Sequence, residues 1–62
     1  MEFEVKDMTC GHCAATVRNA VERAIPNAEV DVDLARHRVT LVGDLALAFA
    51  SVKAAGYTPQ PA

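Results

Sequence analysis

Residues 28–34, Ala28-Glu29-Val30-Asp31-Val32-Asp33-Leu34, alternate small or aliphatic side chains with carboxylates, without a break. A period of two predicts a β-strand with Ala28, Val30, Val32 and Leu34 on its dry face and the acidic residues on its wet face. Ala35, Arg36 and His37 make a short turn, in which His37 is expected as a solvated residue between two arginines. Val39 and Leu41 then resume the inward pattern while Arg38, Thr40 and Val42 point outward, so the two runs read as an antiparallel hairpin. Gly43 ends it.

Working upstream, Pro26 and Asn27 close a segment of different period. From Cys13 onward, Ala14, Val17, Val21 and Ala24 recur at intervals of three and four, with Arg18, Asn19, Glu22 and Arg23 between them. That is an amphipathic helix with those four residues as its buried stripe. Before it, Phe3 and Val5 alternate with Glu2, Glu4 and Lys6, a first strand that delivers the chain to Met8-Thr9-Cys10-Gly11-His12-Cys13. Downstream of the hairpin, Asp44 is a suitable N-cap for a second helix whose stripe is Leu45, Ala48, Phe49, Val52 and Ala55, with Gly56 at the C′ position. The segment from Tyr57 to Ala62 has room only for a short strand. Pro59 and Pro61 restrict it to a sheet edge, because neither donates a ladder hydrogen bond.

The order is β-α-β-β-α-β, the split βαβ pattern of α+β ferredoxin-like folds, with a four-stranded antiparallel sheet and two helices on one face. One domain, residues 1–62, is expected, since 62 residues lie near the lower size for a single core. Such a chain is too small for a substrate pocket of its own, and an enzyme is not expected. Hydrophobic residues make up 52% and exclude a disordered tail, while 5% aromatics leave a core of Val, Leu and Ala. The net charge of -2 comes with no run of basic residues, so neither nucleic acid nor an anionic membrane surface is an expected partner. The uncovered sheet face would carry Glu2, Glu4, Glu29, Asp31 and Asp33 against Lys6 and Arg38. It lacks the aromatics and basic charge with which sheets of this architecture bind RNA. No apolar run approaches the roughly 20 residues of a membrane span, and Met1-Glu2-Phe3-Glu4 lacks the features of a signal peptide. If these are the natural termini, a cytoplasmic protein is expected.

Cys10 and Cys13 are the only cysteines. In a reducing compartment such a pair reads as metal-binding or catalytic rather than as a structural disulfide. The first sits in a loop and the second in the opening turn of a helix, so both sulfurs can turn toward one point. Unpaired N–H groups at the helix start favour anions there, which is expected to push both thiols toward thiolate. Cys-Gly-His-Cys is also the active-site tetrapeptide of protein disulfide isomerases, and thiol–disulfide redox work is the rival reading. Against it, no Trp precedes Cys10, no candidate cis-Pro segment faces the motif, and the chain is too short for a thioredoxin fold. His12 is expected to face solvent, within reach of a metal in a dimer. Met8 is expected to pack in the core rather than ligate through its thioether. An exposed Leu47 is a possible contact patch on the second helix.

With the strand, the Met8–Cys13 loop, the helix and Ala55-Gly56-Tyr57 in place, the sequence resembles the heavy-metal-associated domain family over essentially its full length. The similarity is greatest to the small bacterial copper chaperones. That resemblance implies metal binding by Cys10 and Cys13, a Met8 that packs beneath the loop, and a Tyr57 beside the site. Asp7 departs from the pattern, since glycine is commoner before the methionine. The function implied is a cytoplasmic carrier that holds Cu(I) on the two thiolates and passes it by ligand exchange to the metal-binding domain of a copper-transporting P-type ATPase, with a metal-bridged homodimer as a further form. An excised metal-binding domain of such an ATPase is the alternative.

Overall fold

The computed structural model describes residues 1–61. Strand β1 (Glu2–Val5) is followed by helix α1 (Gly11–Ala24), the hairpin β2 (Glu29–Asp33) and β3 (Arg38–Val42), helix α2 (Leu45–Ala54) and strand β4 (Pro59–Pro61). The strands form one antiparallel sheet in the order β2-β3-β1-β4. This is the expected ferredoxin-like arrangement, and β4 occupies the edge that its two prolines require.

Register follows from alternation. Val30 lies opposite Leu41 and Val32 opposite Val39, while Phe3 lies opposite Val39 on one side and Pro61 on the other. The inward residues of neighbouring strands therefore stand side by side and meet the helices as one layer. Phe3, Val5, Met8, Val17, Val21, Val39, Leu41, Ala48 and Val52 are all buried in it. The rings of Phe3 and Phe49 pack tilted, with centroids 5.8 Å apart, which ties α2 to β1, one of the two central strands. On the opposite face Arg38 reaches Glu2 at 2.9 Å and Lys6 lies 3.9 Å from Glu4. At the outer edge of the sheet, the Arg18 guanidinium donates to the Val30 carbonyl at 2.8 Å, covering part of β2's unpaired backbone.

The helix stripes depart from expectation at their last members. Ala24 is exposed, and Ile25, one residue later, packs against the core instead. The helical rotation from Val21 leaves either position near the buried face, and the larger side chain takes it. A Cβ built on Gly43 would lie 3.3 Å from Ile25 Cγ2, so the close approach of the β3–α2 link depends on that glycine. Ala55 is likewise exposed, because α2 has already ended and Ala55 is its C-cap.

That C-cap determines what comes next. Gly56 has φ 99°, the left-handed side that glycine adopts freely. Its N–H donates to the Lys53 carbonyl at 3.1 Å and the Tyr57 N–H donates to the Val52 carbonyl at 3.3 Å. This pair of bonds is a Schellman motif, whose usual companion is an apolar contact made by the residue in Tyr57's place. Tyr57 is thus folded back against the core at the end of the molecule where α1 begins.

Candidate metal centre

Helix α1 begins with an unusual cap. Cys10 has extended backbone angles and its sulfur accepts from the Cys13 N–H at 3.4 Å, the role usually held by a Ser, Thr, Asp or Asn oxygen. Capping turns the Cys10 side chain over the first turn, and Cys13 lies one turn along on the same face. The two sulfurs are 3.1 Å apart. Cys10 is exposed and Cys13 half-buried, and both are free thiols.

The Cys13 thiol is lowered from 9.0 to about 7, chiefly by the Tyr57 hydroxyl and next by the Cys10 thiol, both hydrogen-bonded to its sulfur, with smaller contributions from the backbone of Thr9 and Cys10. The expected electrostatics are therefore present at Cys13, although side-chain donors rather than the helix terminus dominate them. The same bond acts in reverse on tyrosine: donation to Cys13 pushes the Tyr57 hydroxyl above its ordinary range.

Met8 is completely buried beneath the loop, as expected of a packing residue. His12 is exposed beside Cys13, and Leu47 is exposed on α2. Among the described residues, no group of three or more His, Cys, Asp or Glu side chains converges as a metal cage.

His37 departs from its expected role. It is half-buried rather than a solvated turn residue, and its ring Nδ1–H donates to the Met8 carbonyl at 2.8 Å. Asp7 also has a defined role, since both of its carboxylate oxygens accept from the Thr58 N–H, at 3.2 and 3.1 Å. Sequence reasoning gave neither residue a place at the site. The one local hint, a histidine in a turn, does not name its partner.

The heavy-metal-associated domain model matches residues 2–58, almost the whole chain. The chain belongs to this family. No curated protein matches it. Among solved structures, it is similar to a gold-binding protein at 33% identity and a TM-score of 0.93, covering 100% of this chain and 98% of that one. It is also similar to the protein Atu1203 of Agrobacterium tumefaciens, at 44% identity and a TM-score of 0.85, with 97% of each chain covered. The copper chaperone Atx1 of Synechocystis, in a trimeric form, aligns at 29% identity and a TM-score of 0.89 over 97% of this chain and 98% of that one. The last likeness extends from the fold to the type of neighbour, a copper chaperone. No helix among the described residues is long and apolar enough to cross a membrane.

Proposed function

We propose that this chain, a single heavy-metal-associated domain over residues 1–62, is a cytoplasmic Cu(I) carrier that binds its cargo through Cys10 and Cys13. The supporting observation is the pair of sulfurs 3.1 Å apart at the exposed start of α1. Soft thiolates suit Cu(I), and two of them satisfy it, whereas Zn(II) in a closed structural site takes about four ligands. A cysteine already near its thiolate form at neutral pH binds with little proton competition.

Exposure then permits transfer. An incoming thiolate can attack the metal before either original sulfur leaves, so release does not require passage through a bare ion. Cys10, at the helix cap, is the sulfur to be exchanged first, and Cys13, fixed in the first turn, is the second. The recipient that fits is a similar two-cysteine domain, as on a copper-transporting P-type ATPase. The gold-binding and copper-chaperone likenesses support a soft metal as cargo. If the chain is instead a delivery domain of the ATPase itself, the exchange chemistry is unchanged. At higher metal loading a thiolate-bridged homodimer is expected, with His12 beside the bridge.

Competition between Cu(I) and Zn(II) under reducing, oxygen-free conditions tests the cargo, and displacement of Cu(I) by Zn(II) would overturn it. A thiol–disulfide exchange assay separates this reading from redox catalysis, for which turnover with a disulfide substrate is the required result.

A further inference from the structure

We propose that Asp7 and His37 are positioning residues which brace the metal loop from opposite sides and so preorganise the two sulfurs. Taking the loop as the metal site rests on the carrier reading above. The bracing itself rests on hydrogen bonds between segments distant in sequence.

The loop leaves β1 at Val5 and reaches the capping cysteine five residues later. His37 grips this segment at both ends. Its carbonyl accepts from the Val5 N–H at 2.7 Å, and its ring donates to the Met8 carbonyl at 2.8 Å. Between them, the Met8 N–H closes a turn onto the Val5 carbonyl at 3.2 Å, and the Met8 side chain is buried in the core. Asp7 projects from the same turn to the other side and binds the Thr58 N–H. Residues 5–8 are thereby tied to the β2–β3 turn on one flank and to the α2–β4 link on the other. Thr58 directly follows Tyr57, so the Asp7 bond also fixes the segment that brings the tyrosine to Cys13.

Turn geometry alone does not account for His37. Its φ of 55° is left-handed, which glycine adopts freely and asparagine, aspartate and histidine adopt more readily than other side chains. The turn therefore accepts several residues, and of these the imidazole is the one that reaches the Met8 carbonyl here. Asp7 is similar: its exposed position needs no particular side chain for packing, yet its carboxylate is used.

The consequence falls on Cys10, two residues beyond Met8. With Met8 held by its side chain, N–H and carbonyl, only the short stretch through Thr9 remains free to move the first sulfur. A loosened loop would have to be ordered when metal binds, at a cost to affinity and a gain in release rate.

The test uses the full chain with Asp7→Ala, Asp7→Asn, His37→Gly and His37→Asn. Glycine and asparagine keep the left-handed turn while removing the imidazole, so the turn itself is preserved. Cu(I) affinity is measured by competition with a chromophoric chelator, thermal midpoints are recorded alongside, and amide exchange is followed in the metal-free protein. Asp7→Ala and His37→Gly should each weaken Cu(I) binding by about five- to tenfold, the size expected from one hydrogen bond. Asp7→Asn, which keeps an acceptor, should recover most of the loss. In the metal-free chain, exchange at Thr58 should rise in Asp7→Ala, and exchange at Met8, whose N–H is bonded to the Val5 carbonyl, should rise in both loss variants, with the core amides unchanged. Equal affinity in all variants overturns the proposal, as does a loss that tracks thermal stability with no recovery in Asp7→Asn. If the parent chain fails to hold Cu(I), the carrier reading falls, and amide exchange still decides the brace: unchanged protection at Thr58 and Met8 refutes it.

Discussion

The two helices begin in the same way and with different atoms. At the start of α2, the Asp44 carboxylate accepts from the N–H groups of Ala46 and Leu47 at 3.0 and 3.3 Å. At the start of α1, a thiol sulfur takes that place and accepts one N–H at 3.4 Å. Neither first turn carries an acidic residue to assist. Aspartate is among the best N-caps, whereas sulfur is a weak acceptor. The two ends differ in what they leave exposed: Asp44 holds a helix in place, while Cys10 gives up capping strength and leaves a thiol on the surface, which is what the proposed carrier function requires. The stability that α1 lacks at its cap must come from the core it covers and from the bonds around the loop.

If the shared core is what holds both helices, truncations there should have the largest effect on stability. Leu41→Ala or Phe3→Ala should destabilise the fold by about 3–5 kcal/mol, a large share of what so small a domain possesses. Urea unfolding measures this, and a cost below about 1 kcal/mol would place the stability elsewhere.

Next in size is the structural cap. Asp44→Ala should cost about 1 kcal/mol of unfolding free energy and leave Cu(I) affinity unchanged, because it touches the end of α2 remote from the sulfurs. A change in affinity would mean that the two helix ends are coupled. The reciprocal substitution should move stability slightly the other way. Serine caps better than cysteine, so metal-free Cys10→Ser should be as stable as the parent or more so by a few tenths of a kcal/mol. A marked loss would show that the sulfur is a structural cap after all.

The smallest effect is on pH dependence. Folding lowers Cys13 from 9.0 to about 7. A depressed acid contributes stability that is fully present above its unfolded value and is lost as pH falls through its folded value. The urea midpoint of the metal-free parent, relative to Cys13→Ser, should therefore decline from pH 9 toward pH 7. Tyr57→Phe removes the leading cause and should move that decline to higher pH. Thiolate absorbance gives the same titration directly, and an unmoved Cys13 curve in Tyr57→Phe would contradict the assigned cause.

These contrasts also show how much the sequence could reveal. The six elements and their order were legible because periods of two and 3.6 are local patterns, and β2, β3 and α1 display them over several repeats. The cysteine pair was legible for the same reason, as cap and first turn lie within four residues. Errors came where a helix ended: Ala24 and Ala55 fit the apolar spacing but lie at termini, where Ile25 and the Schellman turn decide what is buried. The braces were out of reach. His37 meets Met8 across 29 positions and Asp7 meets Thr58 across 51, and no periodicity encodes a hydrogen bond formed only when the sheet has closed. Asp7 was visible as a departure from its family's pattern without its partner being visible.

The division between a holding end and a ligand end stands or falls on the two sulfurs. Native mass spectrometry of the reduced chain loaded with Cu(I) in the absence of oxygen, run on the parent, Cys10→Ser and Cys13→Ser, measures it most directly. The parent monomer should carry one Cu(I), and each serine variant should lose stable monomeric binding while remaining folded. Either variant retaining Cu(I) as a monomer with near-parent affinity would contradict the two-thiolate site.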